Sequence, residues 1–149
     1  MKEHVKHAMV AAAMAFAVSG IAQANEDNDD HKECSNATLK GLYVFSATGF
    51  NIVGGVAQPK AIVEVIRFNG DGTLTVPAAT VSINGVVTRS PANGPGTYAV
   101  STDCTGSLAF GPPGPTFDVF VTPGGSEVNM IQTGPGLPVF QGTVERVSR

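Results

Sequence analysis

Beyond residue 40 the apolar side chains come in short β-branched and aromatic runs, separated by Gly, Pro and Asn. No stretch there keeps apolar residues at i, i+3, i+4 and i+7 for three turns, so the pattern predicts strands rather than helices. The runs fall at 42–50, 61–68, 73–83, 86–89, 96–101, 106–110, 116–121, 127–133 and 139–147. Asn69-Gly70-Asp71-Gly72 and Asn84-Gly85 lie between such runs, and both supply the positive φ that tight hairpins require. Asp103-Cys104-Thr105-Gly106 and Pro123-Gly124-Gly125-Ser126 are further turns. The Pro-rich segments 91–96, 111–115 and 134–138 are expected to be exposed loops, because proline cannot donate to a central ladder.

Strands joined in order by short turns imply a single antiparallel meander. Eight or nine of them suit a small all-β barrel of about eight strands, which leaves no unpaired edge. A two-sheet β-sandwich shares the same periodicity and stays open as the alternative. Only residues 35–40 read as a helical turn, with Ser35 or Asn36 as cap and Gly41 as stop.

The first 33 residues follow another logic. Lys2 and Lys6 precede an apolar run over 8–22, and Ala22-Gln23-Ala24 supplies small residues for cleavage. Residues 1–24 thus read as a secretory signal peptide, too short in its apolar run to span a bilayer, so no integral membrane segment is expected after processing. Residues 25–33 carry five acids and one Lys and read as a flexible acidic tail. Residues 34–149 then form one domain, exported to the periplasm or beyond the cell.

Composition sharpens this picture in two ways. All ten prolines and all but one of the 18 glycines follow residue 24, a level near that of disordered chains. Both Tyr and all but one of the eight Phe also follow it, with many Val and Ile, so a core can form. From residue 34 onward, six basic residues balance six acidic ones. A neutral body without a Lys/Arg cluster makes nucleic acid an unexpected partner.

Cys34 and Cys104 are the only cysteines. In an exported chain they are expected to form a disulfide, closing a loop worth roughly 4 kcal/mol in the chain-entropy model. No histidine follows residue 31, which removes His-based nucleophile activation and His-metal ligation, and no metal or cofactor motif is present. No cofactor or metal is therefore expected.

Carboxylates and tyrosines remain as acid–base groups. Strand alternation places Glu64 with Ile62, Ile66 and Phe68, opposite Ala61, Val63, Val65 and Arg67. If that face lines a lumen, desolvation raises the Glu64 pKa and suits it to proton transfer or to anchoring a polar ligand group. If it faces outward, or pairs with a cross-strand cation, Glu64 is an ordinary surface acid. Tyr43 and Tyr98 share faces with Phe45 and Val100 and read as core residues whose hydroxyls need partners. A luminal tyrosine close to Glu64 would complete a proton relay. Asp118 shares the face of Phe120 and would pair with Arg67 if their strands were neighbours. Met130 and Phe140 read as barrel filling.

Gly41-Leu42-Tyr43-Val44-Phe45, Gly49-Phe50, Phe68-Asn69-Gly70-Asp71-Gly72-Thr73-Leu74, and Gly96-Thr97-Tyr98-Ala99-Val100 with Asp103-Cys104-Thr105-Gly106 carry a resemblance. Over residues 34–147 the chain resembles small exported bacterial proteins with an allene-oxide-cyclase-like or calycin-like β-barrel. The resemblance implies an eight-stranded barrel whose lumen can take an apolar molecule. The wider group includes cofactor-free cyclases, but no local motif here places their catalytic residues.

Three functions follow as expectations. The first is an exported barrel binding a small hydrophobic molecule, with Glu64, Tyr43, Phe45 and Tyr98 as candidate binding residues. The second is a cofactor-free cyclase or isomerase, with Glu64, Tyr43 and Tyr98 as candidate catalytic residues. The third is a structural or surface-interaction protein with a filled barrel.

Overall fold

A computed structural model describes residues 33–90 and 93–148. The segments read as signal peptide and, apart from Glu33, as acidic tail lie outside the described residues. Nine strands follow a short 3-10 turn at Asn36–Thr38: β1 Lys40–Val53, β2 Val56–Asn69, β3 Thr73–Ile83, β4 Val86–Arg89, β5 Gly94–Val100, β6 Thr105–Phe110, β7 Thr116–Val121, β8 Glu127–Gly134 and β9 Pro138–Ser148. All pairings are antiparallel. β2 pairs with β3 and β9 returns to β1, so eight strands close into a barrel, with β4 as an extra strand. Closure excludes the sandwich.

The meander reaches further than the hydrophobic runs alone indicate. β1 and β2 form a hairpin of two 14-residue strands around Gly54 and Gly55, whose φ values are 57° and 80°. Pro59 is accommodated because the strand edge carrying its carbonyl, and hence its missing N–H, faces the β3–β4 turn: that carbonyl accepts from Asn84 N at 2.8 Å. Pro95 is likewise inside β5 rather than in a loop, pairing with Thr75 and accepting from Gly111 N through its carbonyl. Gly41 belongs to β1 instead of ending the helical turn. β2 and β7 are not neighbours, so Arg67 does not neutralise Asp118, which lies exposed on the outer face opposite Ser107 and Ile131.

β3 departs from regular pleating at Val76-Pro77. Val65 pairs with Ala78 but Arg67 with Thr75, so an extra β3 residue bulges where β2 has only Ile66 between those partners. Past the bulge the inward positions change parity, from Leu74 and Val76 to Ala79. On the other edge of β3, β5 pairs only as far as Val76 and β4 takes over from Thr80. β4 thus leaves a free edge beyond the barrel, which full closure alone would not have left.

The barrel has two unlike ends. Around one gather the 3-10 turn and the β2–β3, β5–β6 and β7–β8 turns; around the other, the β1–β2 and β3–β4 hairpin tips and the β6–β7 and β8–β9 loops. The buried core, including Tyr43, Ile66, Phe68, Leu74, Val128 and Val144, fills the lumen toward the first.

Candidate functional site

The first end is stapled shut. Cys34 and Cys104 form the disulfide, with Cα atoms 4.9 Å apart across 70 residues of chain. Cys104 sits in a turn that repeats the β2–β3 turn: Asp103 Oδ1 accepts from Thr105 N and Oγ1 as Asp71 Oδ1 accepts from Thr73 N and Oγ1. These hydrogen bonds hold both carboxyls below their usual range. The residue between Asp and Thr has positive φ in each, Gly72 at 94° and Cys104 at 66°. The bridge ties the 3-10 turn over the lumen, with Leu39 buried beneath it.

Tyr43 and Tyr98 serve this closure. The Tyr98 hydroxyl accepts from Gly70 N at 3.0 Å and lies 2.9 Å from the carbonyl oxygens of Asn36 and Leu39. Burial, the largest influence, raises its pKa. The Tyr43 hydroxyl donates to Gly125 O at 2.7 Å and accepts from Arg146 Nε at 2.8 Å, while another Arg146 nitrogen caps Thr38 O. Phe68 lies edge-on between the two tyrosine rings, with centroids 5.0 and 4.9 Å away. Every polar group named here has a partner.

At the opposite end lies a cavity of about 480 Å³. Glu64 projects into it, opposite Phe45 on β1 and Ala79 on β3 in the ladder. The inward reading of the β2 face is the observed one: Glu64 is only 6 % exposed. The surface-acid reading does not hold. The bulge and the small Ala79 side chain leave room beside the carboxyl, and Glu64 Oε1 is buried without any hydrogen-bond partner. Burial pushes the Glu64 carboxyl up from 4.5 to about 7, and the positive charge of Lys60 offsets part of that rise.

Aromatic walls enclose the acid. Phe45 meets Phe117 and Phe140 edge-on at centroid distances of 6.0 and 6.4 Å, and Phe110 meets Phe117 at 5.8 Å. All four rings line the cavity. Lys60 also lines it, with Nζ 4.0 Å from the Phe140 ring centroid and donating to Gln132 Oε1 at 3.0 Å. Gln132 is fixed in turn by donating to Gly134 O. Desolvation lowers the Lys60 pKa, opposed by the charge of Glu64. Exposed apolar side chains, Val53 and Val56 on the β1–β2 tip and Val86 on β4, stand around the same end.

Of the candidate residues, the cavity brings together Glu64 and Phe45. Tyr43 and Tyr98 are not among its lining residues. Lys60, Ala79, Phe110 and Phe117 line the cavity without having been singled out in the sequence. Lys60 was legible in principle, because it has the same parity as Ile62 and Glu64; Pro59 hid the continuation of the strand. Phe140 is both core filling and cavity wall.

No family model matches the chain, nor does any curated protein or solved structure. The architecture itself, a closed antiparallel barrel, is compatible with a calycin-like fold. Among the described residues no helix is long and apolar enough to cross a membrane.

Proposed function

We propose that this protein is an exported, calycin-like barrel that binds a small hydrophobic molecule in the cavity around Glu64. The observation carrying this reading is a roomy apolar pocket, walled by four phenylalanines and lined by Glu64, a buried acid with one oxygen left without a partner. Ligand sites combine apolar lining with a few convergent polar groups, and about 480 Å³ falls within their usual size. A filled structural barrel would have no reason to leave a buried carboxyl beside empty space, since such a group costs free energy until paired. The disulfide fits an oxidising location, and the N-terminal pattern supplies the route there.

Proton transfer by Glu64, as in a cofactor-free cyclase or isomerase, gains support from a carboxyl held near neutrality. The relay it would draw on gains none, because both tyrosine hydroxyls are committed at the other end. Binding is therefore the better reading.

Filling the cavity tests it. Ala79→Phe places a ring beside Glu64 and should weaken uptake of octan-1-ol at least about tenfold, the equivalent of some 1.4 kcal/mol, in a calorimetric titration. A folded Ala79→Phe protein that binds octan-1-ol as well as the parent would overturn the assignment of the cavity.

A further inference from the structure

We infer that the natural ligand is a lipophilic amine, whose ammonium group pairs with the Glu64 carboxylate while its apolar body rests against the phenylalanine walls. This deepens the binding reading above and rests on it.

The argument begins with what the cavity lacks. It is lined by two ionisable side chains, Lys60 and Glu64. Lys60 is already provided for, with Gln132 Oε1 at 3.0 Å and the face of Phe140 at 4.0 Å. An acidic ligand would have to displace or share those contacts. Glu64 Oε1 has no partner at all. The unmet demand is for a hydrogen-bond donor, and a charged donor adds Coulombic attraction to the charge-assisted bond an ionised carboxylate makes.

The walls make the same choice. Aromatic faces carry negative potential and attract cations, the more so when water is excluded. Phe45 meets Phe117 and Phe140 edge-on and Phe110 meets Phe117 edge-on, so the four rings line the cavity in differing orientations. Lys60 over Phe140 shows one of these rings already holding an ammonium group. An alkyl or aryl amine entering past Val53, Val56 and Val86 would bury its carbon skeleton against the rings. Its ammonium would reach Glu64, and any proton on that carboxyl would leave to solvent as the ion pair forms.

Three molecules of one chain length separate the possibilities: octylamine, octan-1-ol and octanoate, titrated into the oxidised full-length protein at pH 8. Octylamine should bind about tenfold or more tighter than octan-1-ol, as expected for roughly 1.4 kcal/mol or more from the charged donor, with octanoate weakest. Glu64→Gln should erase the amine preference, bringing octylamine and octan-1-ol to within about twofold of each other, because the pocket keeps its shape. Lys60→Met should preserve or increase the preference by removing a like charge. Octanoate binding tightest, octan-1-ol equalling the amine, a preference that survives Glu64→Gln, or one lost in Lys60→Met would each overturn the inference. If octan-1-ol binds but amine and alcohol are equal, only the amine inference falls; if none of the three binds, the cavity reading falls with it.

Discussion

Both ends of this barrel bury polar side chains beside aromatic rings, and they treat them in opposite ways. At the stapled end, Tyr43, Tyr98, Asn36 and Arg146 are all engaged in hydrogen bonds that pull the 3-10 turn down over the lumen. At the cavity end, Glu64 is as deeply placed but has no partner for one of its oxygens. A satisfied polar network stabilises and specifies one arrangement, whereas an unsatisfied buried acid lowers stability unless something outside the chain completes it. On the binding reading proposed above, the contrast puts structure at one end and recognition at the other.

The largest expected effect comes from opening the stapled end. Replacing both cysteines, Cys34→Ser with Cys104→Ser, removes the 70-residue closure and should cost roughly 4 kcal/mol in denaturant unfolding. An undiminished midpoint would show that the hydrogen bonds alone hold that end.

Next comes the cavity end, where the change should be a gain. Burial holds the Glu64 carboxyl near 7 in the folded chain against an ordinary 4.5. Between those values the folded protein keeps a proton that the unfolded chain has released, so stability falls as pH rises through that window. The full difference amounts to about 3 kcal/mol and is reached above neutrality. Glu64→Gln should flatten this slope, leaving stability unchanged near pH 4 and raised at pH 8 when melts are compared across pH. A parallel pH profile in parent and variant would mean that Glu64 is solvated.

A smaller loss should follow Tyr98→Phe, which leaves Gly70 N, the buried Leu39 carbonyl and the part-buried Asn36 carbonyl without the hydroxyl, at about 2 kcal/mol. The same substitution should not alter octan-1-ol binding, because Tyr98 does not line the cavity. A change in affinity without a change in stability would reverse the division of labour between the ends.

Much of the barrel was legible from local signals. All nine strands were indicated by runs of apolar residues, and Asn84-Gly85 turns with both φ values positive, 50° and 84°, as hairpin chemistry demands. The prolines misled because each sits in a strand with its carbonyl accepting from a turn or loop N–H, Asn84 at Pro59 and Gly111 at Pro95, where no ladder donor is needed. Alternation grouped Glu64 with Ile62, Ile66 and Phe68, but parity says only which residues share a face and never which face is inside. Tyr43 and Tyr98 show the complementary gap: both were recognisable as core residues in need of partners, while their distance from Glu64 depended on where along the barrel each strand crosses it.

By itself, then, the order of residues determined the strands, their turns, the pairing of the only two cysteines and the set of side chains travelling with Glu64. These follow from periodicity of two, from backbone conformations that Gly and Asn accept, and from thiol chemistry. Only the tertiary structure decided that the sheet closes, that the Val76-Pro77 bulge and Ala79 open space beside an acid, and that the phenylalanines gather around it. Those outcomes depend on register between segments as far apart as β1 and β9, and no local pattern encodes a register across that distance.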